Sequence, residues 1–315
     1  MLSSAVAFMM FAGQASASKL IVAYVPNWVE LDKYVSEIDY AKVTHINIAF
    51  ENPLDSSGTM SFDPKNEVLI KRARASGVKI LISIGGGSAA SNKELQSRYF
   101  DLTSEAKRKG FVAKLSDYVV QNHFDGLDVD IEGPSIGKDY GPFIADLAKS
   151  LKSKGKLLTA ALSQGYGGDQ VPYSVFGLFD FVNVMAYDNT GPWGPDRAGQ
   201  HSSMEQAKST VAYWHERGLP LSKMVLGVPF YGYGFGKAFL EHGYSYKEIL
   251  DKYPGSHLVD QVGETIWFNS IPTIKAKAQY VVDEGLAGVM IWSLDQDVKG
   301  ELSLLSAIHS VFNRR

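Results

Sequence analysis

Eight short apolar runs recur along the chain, and most of them are separated by segments in which apolar residues return every three or four positions. The runs have the length and composition of buried strands, and the segments between them are typical of amphipathic helices. No hairpin turn joins two successive runs, which favours a parallel sheet with right-handed crossovers. The predicted strands cover residues 20–24, 43–50, 78–84, 127–132, 157–163, 179–186, 224–229 and 287–292.

Eight parallel strands are the number that closes a (β/α)8 barrel. The predicted fold class is therefore α/β, as a single (β/α)8 TIM barrel. In this architecture the active site lies at the C-terminal face of the strands. The side chains expected on that rim are Tyr24, Phe50, Ser83, Glu132, Gln164, Tyr187, Phe230 and Trp292.

The helical segments set approximate bounds for the outer layer. The predicted helices cover residues 30–39, 66–76, 104–121, 140–153, 272–285 and 302–312. One more helix precedes the strand at 224–229, and Ser202 followed three residues later by Glu205 is a capping-box pattern for its start. Gly218 and Pro220 predict where that helix ends.

The strand at 127–132 alternates apolar and acidic residues with period two. Asp128, Asp130 and Glu132 therefore share one face, and same-face neighbours lie roughly 6.5–7 Å apart at Cα. Like charges at this spacing interact, so at least one of the three acids is expected to hold its proton near neutral pH. Glu132 comes last and is placed to meet a substrate at the C-terminal edge.

Two other interpretations of this acidic run compete with catalysis. Residues 128–133 with Asp139 loosely imitate a calcium-binding loop, but Val129, Ile131 and Pro134 are poor choices for a solvated ligand loop. A purely structural strand would bind its carboxylates to arginines and backbone amides. Because unpaired buried carboxylates are costly to fold, catalysis is the favoured interpretation.

Composition narrows the class of protein. The 315 residues are 45% hydrophobic and 21% charged, as in a globular protein with a large core, and the net charge of −3 offers no basic surface for nucleic acid. The absence of cysteine excludes disulfides and thiolate metal sites. Sixteen Tyr, sixteen Phe and five Trp include candidates for stacking on sugar rings. No metal or cofactor is expected.

The N-terminus predicts export. Residues 5–12 are apolar, and Ala15-Ser16-Ala17 matches the small-residue cleavage pattern of a secretory signal, although the first positive charge is Lys19. We predict a signal peptide over 1–17, a catalytic barrel over 18–315, and a secreted or periplasmic location. No apolar stretch reaches the roughly 20 residues that a membrane span needs.

Residues 125–132 resemble the D-x-x-D-x-D-x-E signature of glycoside hydrolase family 18, the chitinases. Three further segments resemble family motifs in the same order: residues 83–86 the S-x-G-G motif, residues 185–188 the M-x-Y-D motif, and residues 288–292 the last strand with its tryptophan. The chain is similar to bacterial members that lack the inserted α+β domain.

The resemblance implies a role for each acid. Glu132 would donate a proton to the glycosidic oxygen, and Asp130 would hold the substrate's N-acetyl group. Asp128 would exchange a hydrogen bond and share a proton with Asp130, while Tyr187 would bind the acetamido carbonyl. Since two acids on one strand cannot flank the scissile bond, the substrate's own acetamido oxygen would act as the nucleophile.

A wider set of contacts is expected, partly from the resemblance and partly from residues on the rim or along an open groove. Residues expected to contact the substrate are Tyr24, Phe50, Met185, Asp188, Trp292, Trp28, Trp193 and Tyr231, the last three as exposed stacking platforms. Residues expected to shape the motif are Asp125, Ser83, Gly85 and Gly86. Where many members have Tyr-Gly-Arg, this chain has Tyr-Gly-Tyr at 231–233.

The expected substrate is chitin or its N-acetylglucosamine oligosaccharides, hydrolysed by a monomer. Because the span 230–270 is too short to bury a core of its own, the groove is expected to be open and the cleavage endo-type. Three alternatives stay open: an endo-β-N-acetylglucosaminidase acting on N-glycans, a chitin-binding lectin on the same barrel, and a barrel enzyme for phosphorylated metabolites. The presence of Glu132 argues against the lectin.

Overall fold

The computed structural model describes residues 18–314, so the predicted signal peptide lies outside the described residues. Strands β1–β7 and β12 pair in parallel and close into a barrel in the order β1-β12-β7-β6-β5-β4-β3-β2, which confirms the predicted fold class. In chain order the strands are β1 (Leu20–Pro26), β2 (His45–Ala49), β3 (Lys79–Gly85), β4 (Gly126–Asp130), β5 (Leu157–Ser163), β6 (Phe181–Met185), β7 (Met224–Pro229), β8 (Tyr231–Gly234), β9 (Tyr244–Ser245), β10 (Gln261–Val262), β11 (Ile266–Trp267) and β12 (Gly288–Trp292).

The helices surround this barrel. They are α1 (Leu31–Tyr34), α2 (Asn66–Ala75), α3 (Gly86–Ser91), α4 (Lys93–Thr103), α5 (Arg108–Gln121), α6 (Tyr140–Ser153), α7 (Met204–Glu216), α8 (Tyr246–Lys252), α9 (Ile271–Asp283) and α10 (Leu304–Phe312). Between residues 18 and 314, none of them combines the length and apolar character that crossing a bilayer requires.

Two helix predictions were wrong in their bounds. The helix predicted over 104–121 begins at Arg108, and the one predicted over 30–39 is the single turn α1. Helices α3 and α4 were not predicted; α4 starts at Asn92, whose side chain accepts hydrogen bonds from the backbone N–H groups of the next turn. Such a cap outweighs the weak apolar periodicity of this segment.

The capping box predicted at Ser202 lies one residue too early. Ser203 is the N-cap of α7, and its side chain accepts a hydrogen bond from the backbone N–H of Gln206. Ser202 is fully buried and donates its hydroxyl to the backbone oxygen of Ala186 instead. A buried hydroxyl with its own acceptor is not available as a cap, which is why the pattern misled by one position.

The span between β7 and α9 is more ordered than the sequence indicated. Strands β8–β11 form an antiparallel sheet in the order β10-β11-β8-β9, and α8 starts with a capping box formed by Ser245 and Glu248. Its buried side chains nevertheless belong to the same hydrophobic cluster as the barrel and its helices: Tyr244, Tyr246, Ile249, Ile266 and Phe268. The sheet was not predicted because its strands are too short to show a period of two.

The barrel positions side chains in two layers. Leu127, Val129 and Ile131 face outward into the core between strands and helices, which confirms the predicted alternation on β4. Asp128 and Asp130 face the barrel interior and are buried. The acidic face of the strand is therefore enclosed by the other strands instead of being exposed to solvent.

Candidate active site

A cavity of about 380 Å³ opens at the C-terminal face of the barrel, above the acidic residues of β4. Some of the residues expected on this rim line the cavity, and others do not. The cavity is lined by Tyr24, Trp28, Phe50, Gly87, Ser88, Asp130, Glu132, Ala161, Met185, Tyr187, Asp188, Met290 and Trp292. Three carboxyls among aromatic rings, those of Asp130, Glu132 and Asp188, are a setting suited to a sugar ring.

Asp128 is the deepest of the three acids and is saturated by donors. Its Oδ2 accepts hydrogen bonds from the hydroxyls of Tyr24 at 2.6 Å and Ser83 at 2.7 Å. Its Oδ1 accepts from Thr159 Oγ1 at 2.6 Å and Asn183 Nδ2 at 3.4 Å. Ser83 and Thr159 are its direct partners in the parallel register of β3 and β5, so the sheet itself brings the donors together.

These four donors correct one expectation. In the described part of the chain no hydrogen bond joins Asp128 to Asp130, because both oxygens of Asp128 are already engaged. Burial raises the pKa of Asp128, and the hydrogen bonds from Thr159 and Tyr24 oppose that shift. Asp128 is therefore held by four donors that do not include Asp130, and a proton shared between the two acids stays a prediction.

Asp130 lies one step nearer the mouth and has the opposite environment. It is 4% exposed, and among residues 18–314 its Oδ1 atom meets no hydrogen-bond donor. Burial raises its pKa well above the usual range, and the fields of Glu132 and Asp128 add to this effect. An unpaired buried carboxyl facing a cavity is available to a ligand.

Glu132 follows the end of β4 at the lip of the cavity. Burial, and secondly the field of Asp188, raises its pKa to about 7. The carboxyl is therefore protonated below neutral pH and ionised above it. A group with this pKa is able to give a proton and later take one back.

Tyr187 and Asp188 continue from β6 at the same face. In the described structure, the hydrogen-bond partner of the Tyr187 hydroxyl is the sulfur of Met290, 3.9 Å away. Burial raises the pKa of Tyr187 well above its usual range, so the hydroxyl stays a donor. Asp188 has a positive φ of 61° and accepts hydrogen bonds through Oδ1 from Tyr231.

A row of aromatic rings forms the floor of the cavity. Trp292 lies 5.5 Å from Tyr24 and is stacked on Phe50 at 5.7 Å, between ring centroids. Trp28, which is 66% exposed, lies 6.4 Å beyond Phe50. Flat apolar rings in a row present the surface on which the apolar face of a sugar packs.

Two glycines of the S-x-G-G segment allow this floor to form. A Cβ on Gly85 would lie 2.2 Å from the backbone oxygen of Asp130, and one on Gly86 would lie 2.5 Å from the ring of Phe50. Both residues also have positive φ angles, of 103° and 69°. No other residue type fits at either position without displacing the acid strand or the floor.

Other predicted residues lie away from the cavity. Tyr231 is only 7% exposed, so the expectation of an exposed stacking platform was wrong: its ring packs inside and its hydroxyl holds Asp188. Trp193 is 60% exposed but lines a neighbouring cleft with Tyr233 and Phe239. Asp125 binds the backbone N–H of Ile80, at the far end of β4.

Three residues expected on the rim lie elsewhere. Ser83 is buried beneath the cavity on Asp128, and Phe230 is fully buried in the outer core. Gln164 accepts a hydrogen bond from Thr210 of α7 and is not part of the cavity wall. Ser83 lies within β3, whereas Gln164 and Phe230 directly follow β5 and β7, so a position near a strand end does not by itself bring a side chain to the cavity.

The residues of this region that the sequence analysis missed include Thr159, Asn183, His201 and Met290. Thr159 and Asn183 lie two positions before inward-facing residues of β5 and β6, so the period of two gives a signal for them. His201 lies in the loop between β6 and α7, with Nδ1 3.3 Å from Asp188 Oδ1. Nothing local in the sequence pairs that histidine with Asp188.

Comparison with known proteins adds independent findings. The sequence profile described as "Glycosyl hydrolases family 18" matches residues 20–297. The structure is similar to that of the GH18 chitinase ChiB from the chitin utilization locus of Flavobacterium johnsoniae, with a TM-score of 0.87, 36% identity and 94% of each chain covered. It is also similar to a chitinase from Bacteroides thetaiotaomicron, with a TM-score of 0.82, 26% identity, and 94% of this chain and 97% of that chain covered.

The relatives also include animal proteins. Chitotriosidase-1 of Mus musculus is 27% identical over 90% of this chain and 74% of its own length. Chitinase-3-like protein 2 of Homo sapiens is 27% identical over 90% of this chain and 88% of its own.

Proposed function

The chain belongs to glycoside hydrolase family 18, and we propose that it hydrolyses the β-1,4 linkages of chitin and N-acetylglucosamine oligosaccharides. The observation that carries this proposal is the pair Asp130 and Glu132. Both stand at the cavity with raised pKa values, above a floor of stacked aromatic rings. A carboxyl whose pKa is about 7 is suited to proton transfer, which hydrolysis requires and sugar binding by a lectin does not.

The proposed reaction is substrate-assisted. Glu132 donates its proton to the glycosidic oxygen as the C1–O bond breaks, and the acetamido carbonyl oxygen of the same sugar forms a bond to C1. This scheme is favoured because Asp130 and Glu132 leave one strand in the same direction. An ordinary retaining enzyme needs its two carboxyls on opposite sides of the scissile bond, about 5–5.5 Å apart.

The resulting oxazolinium-like intermediate carries positive charge. Asp130, buried and without another partner in the described structure, stabilises that charge and accepts the acetamido N–H. Tyr187 donates its hydroxyl to the acetamido oxygen. Glu132, now ionised, takes a proton from water as the water attacks C1 and the C1–O bond to the acetamido oxygen breaks, which restores the enzyme and leaves a β-configured product.

We further propose that cleavage is endo-type. The sheet β8–β11 is built from strands as short as two residues and shares the core of the barrel, which supports a low wall instead of a closed tunnel. The test is the viscosity of a soluble chitin derivative plotted against the reducing ends released. Endo-cleavage predicts an early, steep fall in viscosity, whereas a slow fall with steady disaccharide release means that the enzyme acts from chain ends.

The experiment that tests the activity itself is product analysis on chitin oligosaccharides. Mass spectrometry should show shorter N-acetylglucosamine oligomers, and proton NMR should show the β-anomer first. Fully deacetylated oligomers should be inert, since they lack the nucleophile. An initial α-anomer contradicts the substrate-assisted scheme, and cleavage of a high-mannose glycopeptide instead of chitotriose assigns the enzyme to N-glycans.

Export and assembly state are part of the same proposal. The apolar run 5–12 and the Ala15-Ser16-Ala17 pattern support removal of residues 1–17 and action outside the cytoplasm, as expected for an enzyme whose substrate is a polymer. N-terminal sequencing of protein from the periplasm or medium should begin at Ser18. Light scattering should report a monomer.

A further inference from the structure

Two residues of the loop before α7 clamp the segment that follows β6. Ser202 donates its hydroxyl to the backbone oxygen of Ala186 at 2.7 Å. The backbone N–H of Asn189 donates to the backbone oxygen of His201 at 3.1 Å, and His201 Nδ1 lies 3.3 Å from Asp188 Oδ1. Residues 201–202 therefore hold residues 186–189 at three points, on both sides of Tyr187.

The clamp is itself held from behind by Lys277 of α9. This side chain is fully buried, and its Nζ donates to Ser202 O at 2.7 Å, Ser202 Oγ at 2.6 Å and Asn269 Oδ1 at 2.7 Å. Asn269 also donates through Nδ2 to Ser202 O at 2.9 Å. Three acceptors face the three N–H groups of one ammonium, so every donor is used.

The three acceptors of the Lys277 ammonium are a backbone oxygen, a hydroxyl and an amide oxygen, and none of them is a carboxylate. Among the described residues, Asp260 is the charged group whose field acts on it, and that carboxylate accepts hydrogen bonds from Ser270 and Thr273. Burial lowers the pKa of Lys277 to about 7. A buried cation without a direct ion pair costs stability, and an apolar residue of similar length serves packing better.

We infer that Lys277 is a positioning residue for the reaction: its ammonium orients Ser202, and Ser202 fixes the backbone that carries Tyr187 and Asp188. A serine hydroxyl has a single proton to donate. While an N–H of Lys277 occupies its lone pair, that proton points at Ala186 O. Without the ammonium the hydroxyl is free to rotate, and the segment after β6 loses its fixed anchor.

The primary test is Lys277→Met, which keeps length and removes all three donors. We expect kcat on chitin oligosaccharides to fall about tenfold to a hundredfold, as for small displacements of catalytic groups, while KM changes little. The Tm should change little, because the removal of a buried charge raises it while the loss of the donor to Ser202 Oγ and Asn269 Oδ1 lowers it. A merely structural lysine instead loses Tm and activity together.

A double-mutant cycle locates the effect on the proposed path. Ser202→Ala should reproduce the loss in kcat, and Lys277→Met added to it should cause little further loss, since both break the same connection. Lys275→Met is the matched control, because it makes the same change two residues away on α9 at a partly exposed position. It should leave kcat, KM and Tm unchanged.

The roles of Tyr187 and Asp188 rest on the proposed function, so a second readout is independent of activity. Hydrogen exchange of the peptide covering 185–203 should be faster in Lys277→Met than in wild type and unchanged in Lys275→Met. Unaltered exchange together with full kcat overturns the inference, as do additive losses in the double mutant. If wild type fails to cleave the oligosaccharides, the proposed function is wrong, and the exchange rates alone decide the role of Lys277.

Discussion

Asp128 and Asp130 are successive inward-facing residues of one strand, yet the two regions in which they lie treat a carboxyl in opposite ways. In the barrel interior, Asp128 accepts hydrogen bonds from four side chains on four other strands. At the mouth, Asp130 keeps an oxygen without a protein donor among the described residues. The deeper region is built to hold a charge, and the upper one leaves its acids for a ligand.

A carboxyl that stabilises the fold and a carboxyl available to a ligand therefore lie only about 7 Å apart, the spacing of same-face residues on a strand. A satisfied buried carboxylate contributes hydrogen bonds to the fold, whereas an unsatisfied one costs free energy that only a ligand offsets. Glu132 belongs to the second region, since its pKa is raised by burial and by the field of Asp188. Mutations in the two regions should therefore have opposite signatures.

The largest effect is expected for Glu132→Gln. The amide keeps the shape of the side chain and cannot transfer a proton, so kcat should fall by about 10³-fold or more while oligosaccharide affinity stays within a few-fold. Steady-state kinetics and isothermal titration calorimetry measure the two quantities. Glu67→Gln, at an exposed position of α2, is the control and should retain activity. A loss of affinity as large as the loss of rate contradicts the assignment of Glu132 as acid.

The next effect compares Asp128→Asn with Asp130→Asn in the same urea titration. Asparagine at 128 turns an NH₂ group toward existing donors, so the free energy of unfolding should fall by about 3 kcal/mol. Asparagine at 130 replaces a carboxyl whose Oδ1 meets no donor among the described residues, so the protein should be equally stable or more so. Equal destabilisation of both variants would mean that the two carboxyls do not differ in their hydrogen bonding. An Asp128→Asn variant as stable as wild type would favour a proton shared between Asp128 and Asp130.

The sequence predicted the upper region better than the lower one. The alternation on β4 and the motif around residues 185–188 identify the acids and Tyr187, because both signals are local. The donors to Asp128 come from β1, β3, β5 and β6, and they meet only when the barrel closes with the observed register. A barrel was predictable from eight runs of apolar residues; which of its inward residues face one another was not.

Other failures have a similar cause. Tyr231 looks like an exposed aromatic in a glycine-rich stretch, but strand β8 turns its ring inward, where its hydroxyl binds Asp188. The link between Lys277 and Ser202 spans 75 positions of sequence, and no pattern joins them. Residues fixed by long-range hydrogen bonds are visible only in three dimensions.

A third prediction concerns the dependence of stability on pH. Folding raises the pKa of Glu132 from 4.5 to about 7, so the folded state binds more protons than the unfolded state between these values. Its contribution is complete below about pH 4.5 and is lost as the pH rises through 7. Glu132→Gln should therefore be more stable than wild type at pH 8, by on the order of 2 kcal/mol, and the difference should vanish at pH 4.5. A difference that is flat across this range shows that Glu132 is not buried as an acid; Glu67→Gln supplies the flat reference.

The smallest effect tests how the mouth sets the pKa of its acid. The field of Asp188 is the second cause, after burial, of the raised pKa of Glu132. Removing that negative charge with Asp188→Asn makes ionisation of Glu132 easier, so its pKa falls and the alkaline limb of kcat/KM moves to lower pH, by less than about one unit because burial remains. The height of the profile will also drop if Asp188 contacts the sugar, but the position of the limb does not depend on that height. Asp196→Asn, an exposed change in the same loop, should leave the limb where it is. A limb that stays fixed or moves to higher pH in Asp188→Asn means that the two carboxyls do not interact, and the alkaline limb then reports another group.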